Sequence, residues 1–371
     1  MDKYSWYIIA FIISLALTVV ATLVVKRLAF RWGTIDYPES APERKIHQIP
    51  RPLLGGLAVY LSVVISMLAV AFFSNRLIGD GMPWKYIVGI IIGGGLLMIG
   101  GWLDDRYHLK AAKQIIWPLL ASLAIVAAGI GIDFISNPFG GVINLDQFNI
   151  DVLTIGQTIF QVTLWADIFA LFWLLGMMYT TKFLDGLDGL TAGLGAIGSL
   201  VIFIISLRSD VIQPGTALLS AILLGACLGF LFFNWHPAKI FLGEGGSVFI
   251  GFMLGILSII AGSKIATALL VMGIPILDVV WVIIRRVIIE RRSPFKGDKK
   301  HLHFRLLDVG LSHRKSVTFL LFLSSVFGLA GLFLTGVNKY WTLGLLAFIM
   351  VILGASLVFV YRIKHPKLNQ Y

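Results

Sequence analysis

Three short segments of the chain place carboxylates at or near the ends of long apolar runs. They are the pair Asp104-Asp105, the pair Asp185 and Asp188 in an Asp-Gly-Leu-Asp-Gly sequence, and Glu244 before two glycines. A charged side chain at the centre of a membrane helix costs about 2.5–3.5 kcal/mol on insertion scales, so such residues are candidates for function. Oxygen ligands gathered in one place suit a hard divalent cation, and Mg²⁺ suits phosphate or pyrophosphate chemistry. The three segments therefore predict a metal-assisted phosphate site.

Each carboxylate also has a purely structural explanation. Asp188 can cap the helix that follows it, and Asp185 can belong to a turn. Asp278, which lies inside an apolar run about two turns before Arg285, can pair with a neighbouring helix. Taken singly, these alternatives stay open. The recurrence of carboxylates among glycines, all on one side of the predicted membrane, favours function.

Two further segments add cations and imidazoles. The first contains Lys45 and His47, and the second contains His301, His303 and Arg305. The two histidines of the second segment are two residues apart, so one helix face would not present both, and no cysteine or His-Glu-x-x-His motif supports zinc. A solvated basic loop facing lipid is one explanation. Binding of a multiply charged phosphate ligand, with Arg and Lys as donors, fits the residue types better.

The elements that position these residues are long apolar runs. Only 13% of the 371 residues are charged, about half the share of a soluble domain, and 58% are hydrophobic. These numbers exclude a soluble globular enzyme and a disordered chain, and unbroken runs argue against an outer-membrane β-barrel. We expect an all-α polytopic integral membrane protein. Its predicted spans, 11 in all, are about 5–28, 56–74, 86–103, 115–132, 164–181, 189–207, 215–233, 247–262, 265–284, 317–336 and 341–361.

The basic residues divide unevenly between the two sides of this arrangement. Of the 30 Lys and Arg residues, 24 fall on the side of the C-terminus. Positive charge marks the cytoplasmic side, so we expect the N-terminus outside and the C-terminus in the cytoplasm. We expect one membrane domain, 1–371, and a short β-hairpin in the outer loop of about 133–163. The predicted cytoplasmic loops are about 29–55, 104–114, 182–188, 234–246 and 285–316.

Five motifs in this order resemble those of the polyprenyl-phosphate N-acetylhexosamine-1-phosphate transferases, glycosyltransferase family 4. The motifs are Arg44-Lys45-Ile46-His47 with Gly55-Gly56, Asp104-Asp105, Asp185-Gly186-Leu187-Asp188-Gly189, the segment from His236 to Ser247, and the segment from His301 to Leu307. Each motif alone is weak, but the five span nearly the whole chain.

The resemblance implies a reaction. A sugar-1-phosphate, here N-acetylglucosamine-1-phosphate, passes from a UDP-sugar to undecaprenyl phosphate and leaves UMP, with Mg²⁺ as cofactor and Mn²⁺ as the alternative ion. It implies a multi-pass protein of the bacterial cytoplasmic membrane, with its active site on the cytoplasmic face and the first membrane step of cell-envelope glycan synthesis as its task. Membrane lipid is an expected partner and nucleic acid is not, while a homodimer is left open.

The resemblance also implies roles for individual residues. Catalytic roles fall on Asp104, Asp105, Asp185, Asp188 and His301. Metal ligation falls on Glu244, Asp185 and Asp104. Substrate binding falls on Lys45, His47, Lys182, Asn234, His303 and Arg305. Direct attack by the lipid phosphate and a covalent phospho-aspartate route remain equally compatible with these residues.

Three positions depart from the pattern of the family. Glu244 stands where the family usually has Asp, Lys182 replaces an Asn, and Phe304 replaces a His common in the N-acetylglucosamine branch. The His-His-His run of the muramoyl-pentapeptide branch is absent, which favours a UDP-N-acetylhexosamine donor over the alternative, UDP-N-acetylmuramoyl-pentapeptide. A transporter, the rival from another class, would need polar groups near the bilayer midplane, where only Asp278 is expected.

Overall fold

The computed structural model describes residues 3–40, 48–74, 76–78, 82–137, 141–155, 158–209, 211–262, 265–291, 301–334 and 337–364. Its helices are α1 Lys3–Trp32, α2 Gly55–Phe73, α3 Trp84–Tyr107, α4 Ala111–Gln114, α5 Ile116–Ala127, α6 Leu164–Leu184, α7 Leu190–Ser206, α8 Pro214–Asn234, α9 Gly243–Ile260, α10 Ile265–Val271, α11 Gly273–Ile284, α12 Leu302–Asp308, α13 His313–Phe333 and α14 Val337–Lys364. Its strands are β1 Ile35–Asp36, β2 Arg51–Pro52, β3 Phe134–Ser136, β4 Val142–Asn144, β5 Asn149–Ile155 and β6 Thr158–Thr163.

Helices dominate the chain, as the apolar runs predict. Within the described residues, eight helices are long and apolar enough to cross a membrane, and a ninth candidate is the pair α10 and α11, bent by 79°. Helices at Ala111–Ala127 and Leu190–Ser206 are apolar but shorter. The polytopic helical class is therefore confirmed. Each of the eleven predicted runs coincides with helix, but the count of 11 spans and the orientation of the termini stay predictions.

The break between α10 and α11 has a local cause. Gly273 and Pro275 open α11, and proline has no N–H to offer to the preceding turn. At its other end the helix continues as a π-helical turn over Arg285–Ile289, and the side chains of Arg285 and Arg286 are buried. The sequence predicts a loop from about 285, but no glycine or proline occurs before Pro294, so nothing ends the helix there.

The segment between α5 and α6 forms two hairpins instead of the single one expected. Strands β3 and β4 pair antiparallel, with Ile135 opposite Ile143. Strands β5 and β6 also pair antiparallel, with Ile150 opposite Val162. The alternation of apolar and polar residues thus predicts strands correctly but does not show where each strand finds its partner.

Glycines bring the helices that carry the site into direct backbone contact. A Cβ added to Gly101 on α3 would lie 2.2 Å from the Cα of Gly245, and one added to Gly56 on α2 would lie 2.1 Å from the Cα of Gly246. Helices α2 and α3 therefore both rest on the first turn of α9. This packing holds the end of α3 against the start of α9, where two of the predicted carboxylate segments lie.

Candidate functional site

One cavity of about 640 Å³ collects most of the predicted site residues. Seven separate segments contribute to its wall: the segment between α1 and α2, the ends of α3, α6 and α8, the start of α9, α12, and the start of α13. Its acidic and basic lining residues are Asp36, Asp104, Asp105, His108, Lys182, Asp185, Asp188, His236, Glu244 and His313. Residues far apart in sequence thus meet at one end of the helical bundle.

Asp105 is fixed to the beginning of helix α9. Its two carboxylate oxygens accept hydrogen bonds from the backbone N–H of Glu244, at 3.1 and 3.3 Å. The residue before it, Gly243, has φ +72°, a conformation that L side chains rarely adopt, and a Cβ there would lie 2.4 Å from Oδ2 of Asp105. Both the positive φ and the close contact with Asp105 require a glycine at position 243. Asp105 in turn accepts from one of the N–H groups that have no partner within the helix at its start.

Asp104 faces a different set of groups. Its Oδ1 accepts hydrogen bonds from the backbone N–H of Leu109, at 2.8 Å, and from Nε2 of Gln114, at 2.9 Å. The Oε1 of Gln114 in turn accepts a hydrogen bond of 2.9 Å from Nζ of Lys182. Lys182 also forms an ion pair with Oε1 of Glu244. A continuous polar chain therefore runs from Asp104 to Glu244 through an amide and an ammonium group.

Asp185 and its loop follow helix α6. Desolvation by the surrounding protein raises the pKa of Asp185 above its ordinary value, and the nearby carboxylates of Glu244 and Asp188 raise it further. The side chain is nevertheless exposed to the cavity, so water screens these charges and limits the shift. Asp185 is accordingly the carboxylate of the site that is most open to an incoming cation.

Asp188 connects two loops and does not cap α7, because Gly189 stands at the cap position. Its Oδ2 lies 2.7 Å from Nδ1 of His236 and accepts a hydrogen bond of 3.0 Å from the N–H of Ala238. The ring of His236 stacks on that of His313, with centroids 4.0 Å apart and planes at 17°. The loop before α7, the loop before α9 and the start of α13 are joined at this point.

Asp188, His236 and His313 also have ligand atoms within 4.8 Å of one another, as a metal site requires. An ion shared by two imidazoles must lie near the plane of both rings. The two rings here are stacked face to face, so the stack would have to open before all three groups could bind one ion. We therefore assign no metal to this cluster.

Asn234 is buried and uses both polar atoms of its side chain within the protein. Its Oδ1 accepts a hydrogen bond from the N–H of Gly189 at 3.0 Å, and its Nδ2 donates to the carbonyl of Ile240 at 2.9 Å. The residue borders the cavity, but its contacts hold the two surrounding loops together. Its predicted role in substrate binding stays a prediction.

His301 and His303 belong to a buried cluster beside the cavity. Nδ1 of His301 lies 2.8 Å from Oδ2 of Asp278, whose Oδ1 accepts a 2.8 Å hydrogen bond from the N–H of Leu302. Asp278 thus pairs with a neighbouring segment, as its structural explanation predicts. His303 is 1% exposed, and burial lowers its pKa to about 3, so it is a neutral imidazole. Phe304, and neither histidine, borders the cavity.

The remaining predicted residues lie either outside the cavity lining or outside the described part of the chain. Arg305 lies on α12, half-buried, outside the lining of the cavity. Lys45 and His47 lie outside the described residues. Sequence reasoning missed Gln114, His236 and His313. Only His236 carried a signal, since it opens the fourth motif.

The carboxylates can hold Mg²⁺ in one particular way. Among the described residues, Asp104, Asp185 and Glu244 do not bring three ligand atoms within 4.8 Å of one another, so they form no closed cage. Mg²⁺ is commonly bound by one or two carboxylates together with the phosphates of a substrate. Asp185 and Glu244, both on the cavity wall, fit that arrangement.

The chain is similar to known proteins along almost its whole length. The sequence model of "Glycosyl transferase family 4" matches residues 87–262, which include every carboxylate from Asp104 to Glu244. The chain is 32% identical to "Probable undecaprenyl-phosphate N-acetylglucosaminyl 1-phosphate transferase" of Bacillus subtilis (strain 168) over 371 aligned positions, covering 98% of this chain and 94% of the relative. The chain belongs to glycosyl transferase family 4.

Two further relatives differ in the sugar group that their names contain. The chain is 37% identical to "Decaprenyl-phosphate N-acetylglucosaminephosphotransferase" of Mycolicibacterium smegmatis over 81% of this chain and 75% of the relative. It is 30% identical to "Phospho-N-acetylmuramoyl-pentapeptide-transferase" of Desulforamulus reducens over 90% of this chain and 95% of the relative. Identity is thus higher to the two relatives named for N-acetylglucosamine, and all three names describe transferases.

Proposed function

We propose that the chain transfers N-acetylglucosamine-1-phosphate from UDP-N-acetylglucosamine to undecaprenyl phosphate. The products are undecaprenyl-pyrophosphate-N-acetylglucosamine and UMP. The observation that carries the proposal is the meeting of Asp104, Asp185, Asp188 and Glu244 in one cavity at the end of membrane-length helices. The names of the relatives support the donor and the acceptor.

The position and size of the cavity suit both substrates. A volume of about 640 Å³ lies within the usual range for small-molecule sites, roughly 300–1,000 Å³. A lipid phosphate lies at the level of the headgroups, where the ends of membrane helices also lie. We place this end on the cytoplasmic side, because the loops that form it carry most of the 30 basic residues.

The chemistry is a transfer between two phosphates. An oxygen of the lipid phosphate attacks the β-phosphorus of the UDP-sugar, and the bond from that phosphorus to the bridging oxygen breaks, so UMP leaves with the bridging oxygen. Both substrates are anionic, so their repulsion must be reduced. The ammonium group of Lys182 lies on the cavity wall, where its positive charge can reduce the repulsion between the two phosphates. When bound, Mg²⁺ would neutralise further charge on the donor pyrophosphate, with Asp185 and Glu244 as its protein ligands.

Asp104 is the better candidate for the base. Both oxygens of Asp105 accept from the N–H of Glu244, whereas the hydrogen bonds of Asp104 fall on Oδ1 alone. Among the described residues no group bonds to its Oδ2. Asp104 can therefore take the last proton of the lipid phosphate, while Asp105 positions the start of α9 and with it Glu244.

The test is the release of UMP by the purified chain in nanodiscs that contain undecaprenyl phosphate. We expect release with UDP-N-acetylglucosamine and Mg²⁺, and none when the lipid is omitted or EDTA is added. Release only with UDP-N-acetylmuramoyl-pentapeptide would move the chain to the other branch. A folded chain that releases UMP from neither donor would contradict the reaction class.

A further inference from the structure

A cation and a carboxylate on the wall of the cavity contact each other. Lys182 lies in the last turn of helix α6 and Glu244 in the first turn of helix α9, and their side chains form an ion pair on the wall of the cavity. Glutamate reaches one methylene further than aspartate, which suits a partner on another helix. Lys182 and Glu244 therefore form one charged pair between two helices.

This ion pair is well shielded and well supported. The side chains of Lys182 and Glu244 are 16% and 20% exposed, so solvent screens the pair only in part. The ammonium group also donates to Oε1 of Gln114 at 2.9 Å, which holds it in place. A fixed positive charge thus lies on a carboxylate that would otherwise be available to a divalent cation.

Charge and coordination both oppose a metal while this pair is intact. A cation approaching Glu244 is repelled by the ammonium group, and the carboxylate oxygen nearest to Lys182 is already occupied. The other carboxylates do not compensate, because among the described residues Asp104, Asp185 and Glu244 form no three-ligand group.

We infer that Lys182 competes with the divalent cation for Glu244, so that the empty protein binds the ion weakly and the donor pyrophosphate completes the site. This inference rests on the metal site of the proposed function. Lys182 then acts as a built-in counter-charge. When an ion enters with the nucleotide and takes Glu244, the ammonium group is released beside the donor phosphates. The chain accordingly needs more free metal than an enzyme without this lysine.

The experiment measures Mn²⁺ binding without substrates, by the electron paramagnetic resonance signal of free Mn²⁺, on the full chain in nanodiscs. We expect Lys182→Met to bind Mn²⁺ at least tenfold more tightly than the unchanged chain. Lys239→Met is the matched control, since it removes an exposed cation outside the cavity lining, and it should change the affinity less than twofold. Affinity in Lys182→Met equal to or weaker than that of the unchanged chain would overturn the inference.

Two variants at Glu244 identify the ligand. Adding Glu244→Gln to Lys182→Met should abolish the gain, and tight binding that persists would place the ion elsewhere, for example on Asp188, His236 and His313. Glu244→Gln in the unchanged chain should alter the affinity less than threefold, and a tenfold loss would overturn the inference even if Lys182→Met does not fold. No substrate is present, so a failure of the proposed reaction would leave these results intact.

Discussion

The two ends of helix α8 open onto two different cavities. The end at Asn234 borders the cavity of about 640 Å³, which has six carboxylates on its wall. The end at Pro214 borders a second cavity of about 320 Å³, whose lining includes Tyr4, Trp6, Tyr7 and Arg76. Among its described lining residues the second cavity has no carboxylate. Since α8 has 21 residues, the two cavities are about 30 Å apart along its axis.

The difference between the ends bears on the class of protein. Between the cavities α8 is filled with fully buried apolar side chains such as Leu219, Leu223 and Phe230. A transporter needs binding groups near the middle of the membrane. Among the described residues that line these two cavities, the carboxylates all lie at one end, as a transferase that meets its lipid at the headgroup level requires. We therefore expect substitutions at the two ends of α8 to differ in their effect on turnover.

The largest effect is expected for Asp104→Asn in the large cavity. The variant keeps the size of the side chain but removes the carboxylate that we assign as base, a contribution of roughly 10²–10⁴-fold in rate. We expect kcat for UMP release to fall by at least about 100-fold. Tyr7→Phe, in the small cavity, should leave kcat within twofold. Equal losses in both variants would remove the distinction between the two ends.

A smaller loss is expected for Gly243→Ala. The new Cβ meets both an unfavourable φ of +72° and the carboxylate of Asp105, so the start of α9 and Glu244 must shift. Strain of this kind costs about 1–3 kcal/mol, and we expect a lower Tm and roughly tenfold lower kcat. Gly176→Ala on α6 is the control, because a Cβ there meets no atom within 4 Å. Similar losses in both would mean that Gly243 has no special role.

The sequence predicts the carboxylates of the large cavity better than their partners. Asp104, Asp185, Asp188 and Glu244 stand out because a charge beside a long apolar run is costly and therefore conspicuous. Gln114 and His313 carry no such signal. Their contacts depend on how loops far apart in sequence meet, which periodicity does not report.

For His303, in contrast to the carboxylates, the sequence does not predict the position of the side chain. It has the right chemistry for phosphate binding, but the seven residues Leu302–Asp308 form helix α12, with Leu302, His303 and Leu306 on its buried face. Those three positions have helical spacing, so the imidazole is turned inward with the leucines. The type of a residue alone does not show on which side of so short a helix it will lie.

A moderate effect is expected for Asp278→Asn, which tests whether α12 must be held in place. Asp278 accepts from both His301 and the N–H of Leu302, and an amide can replace only one of these acceptors. Loss of a hydrogen bond at a buried site costs about 1–3 kcal/mol, and we expect a several-fold decrease in kcat/KM. Asp308→Asn, exposed at the other end of α12, should have no effect. Unchanged kinetics in Asp278→Asn would separate α12 from the function of the cavity.

The smallest effect on turnover is expected for His303→Gln, whose consequence lies in the pH dependence of stability. The folded pKa of His303 is about 3, below its ordinary value of 6.5, because burial disfavours the charged ring. The unfolded chain takes up a proton at this residue below pH 6.5 and the folded chain does not, so acid favours unfolding until the pH reaches about 3. At pH 5 this amounts to about 2 kcal/mol.

Thermal unfolding of the purified chain at pH 7 and pH 5 measures that contribution. We expect the decrease in Tm between the two pH values to be smaller in His303→Gln than in the unchanged chain, with kcat at pH 7 within twofold. An identical decrease would mean that the ring takes up its proton in the folded protein. A large loss of kcat at neutral pH would instead mean that His303 contributes to substrate binding. Helix α12 would then belong to the active site.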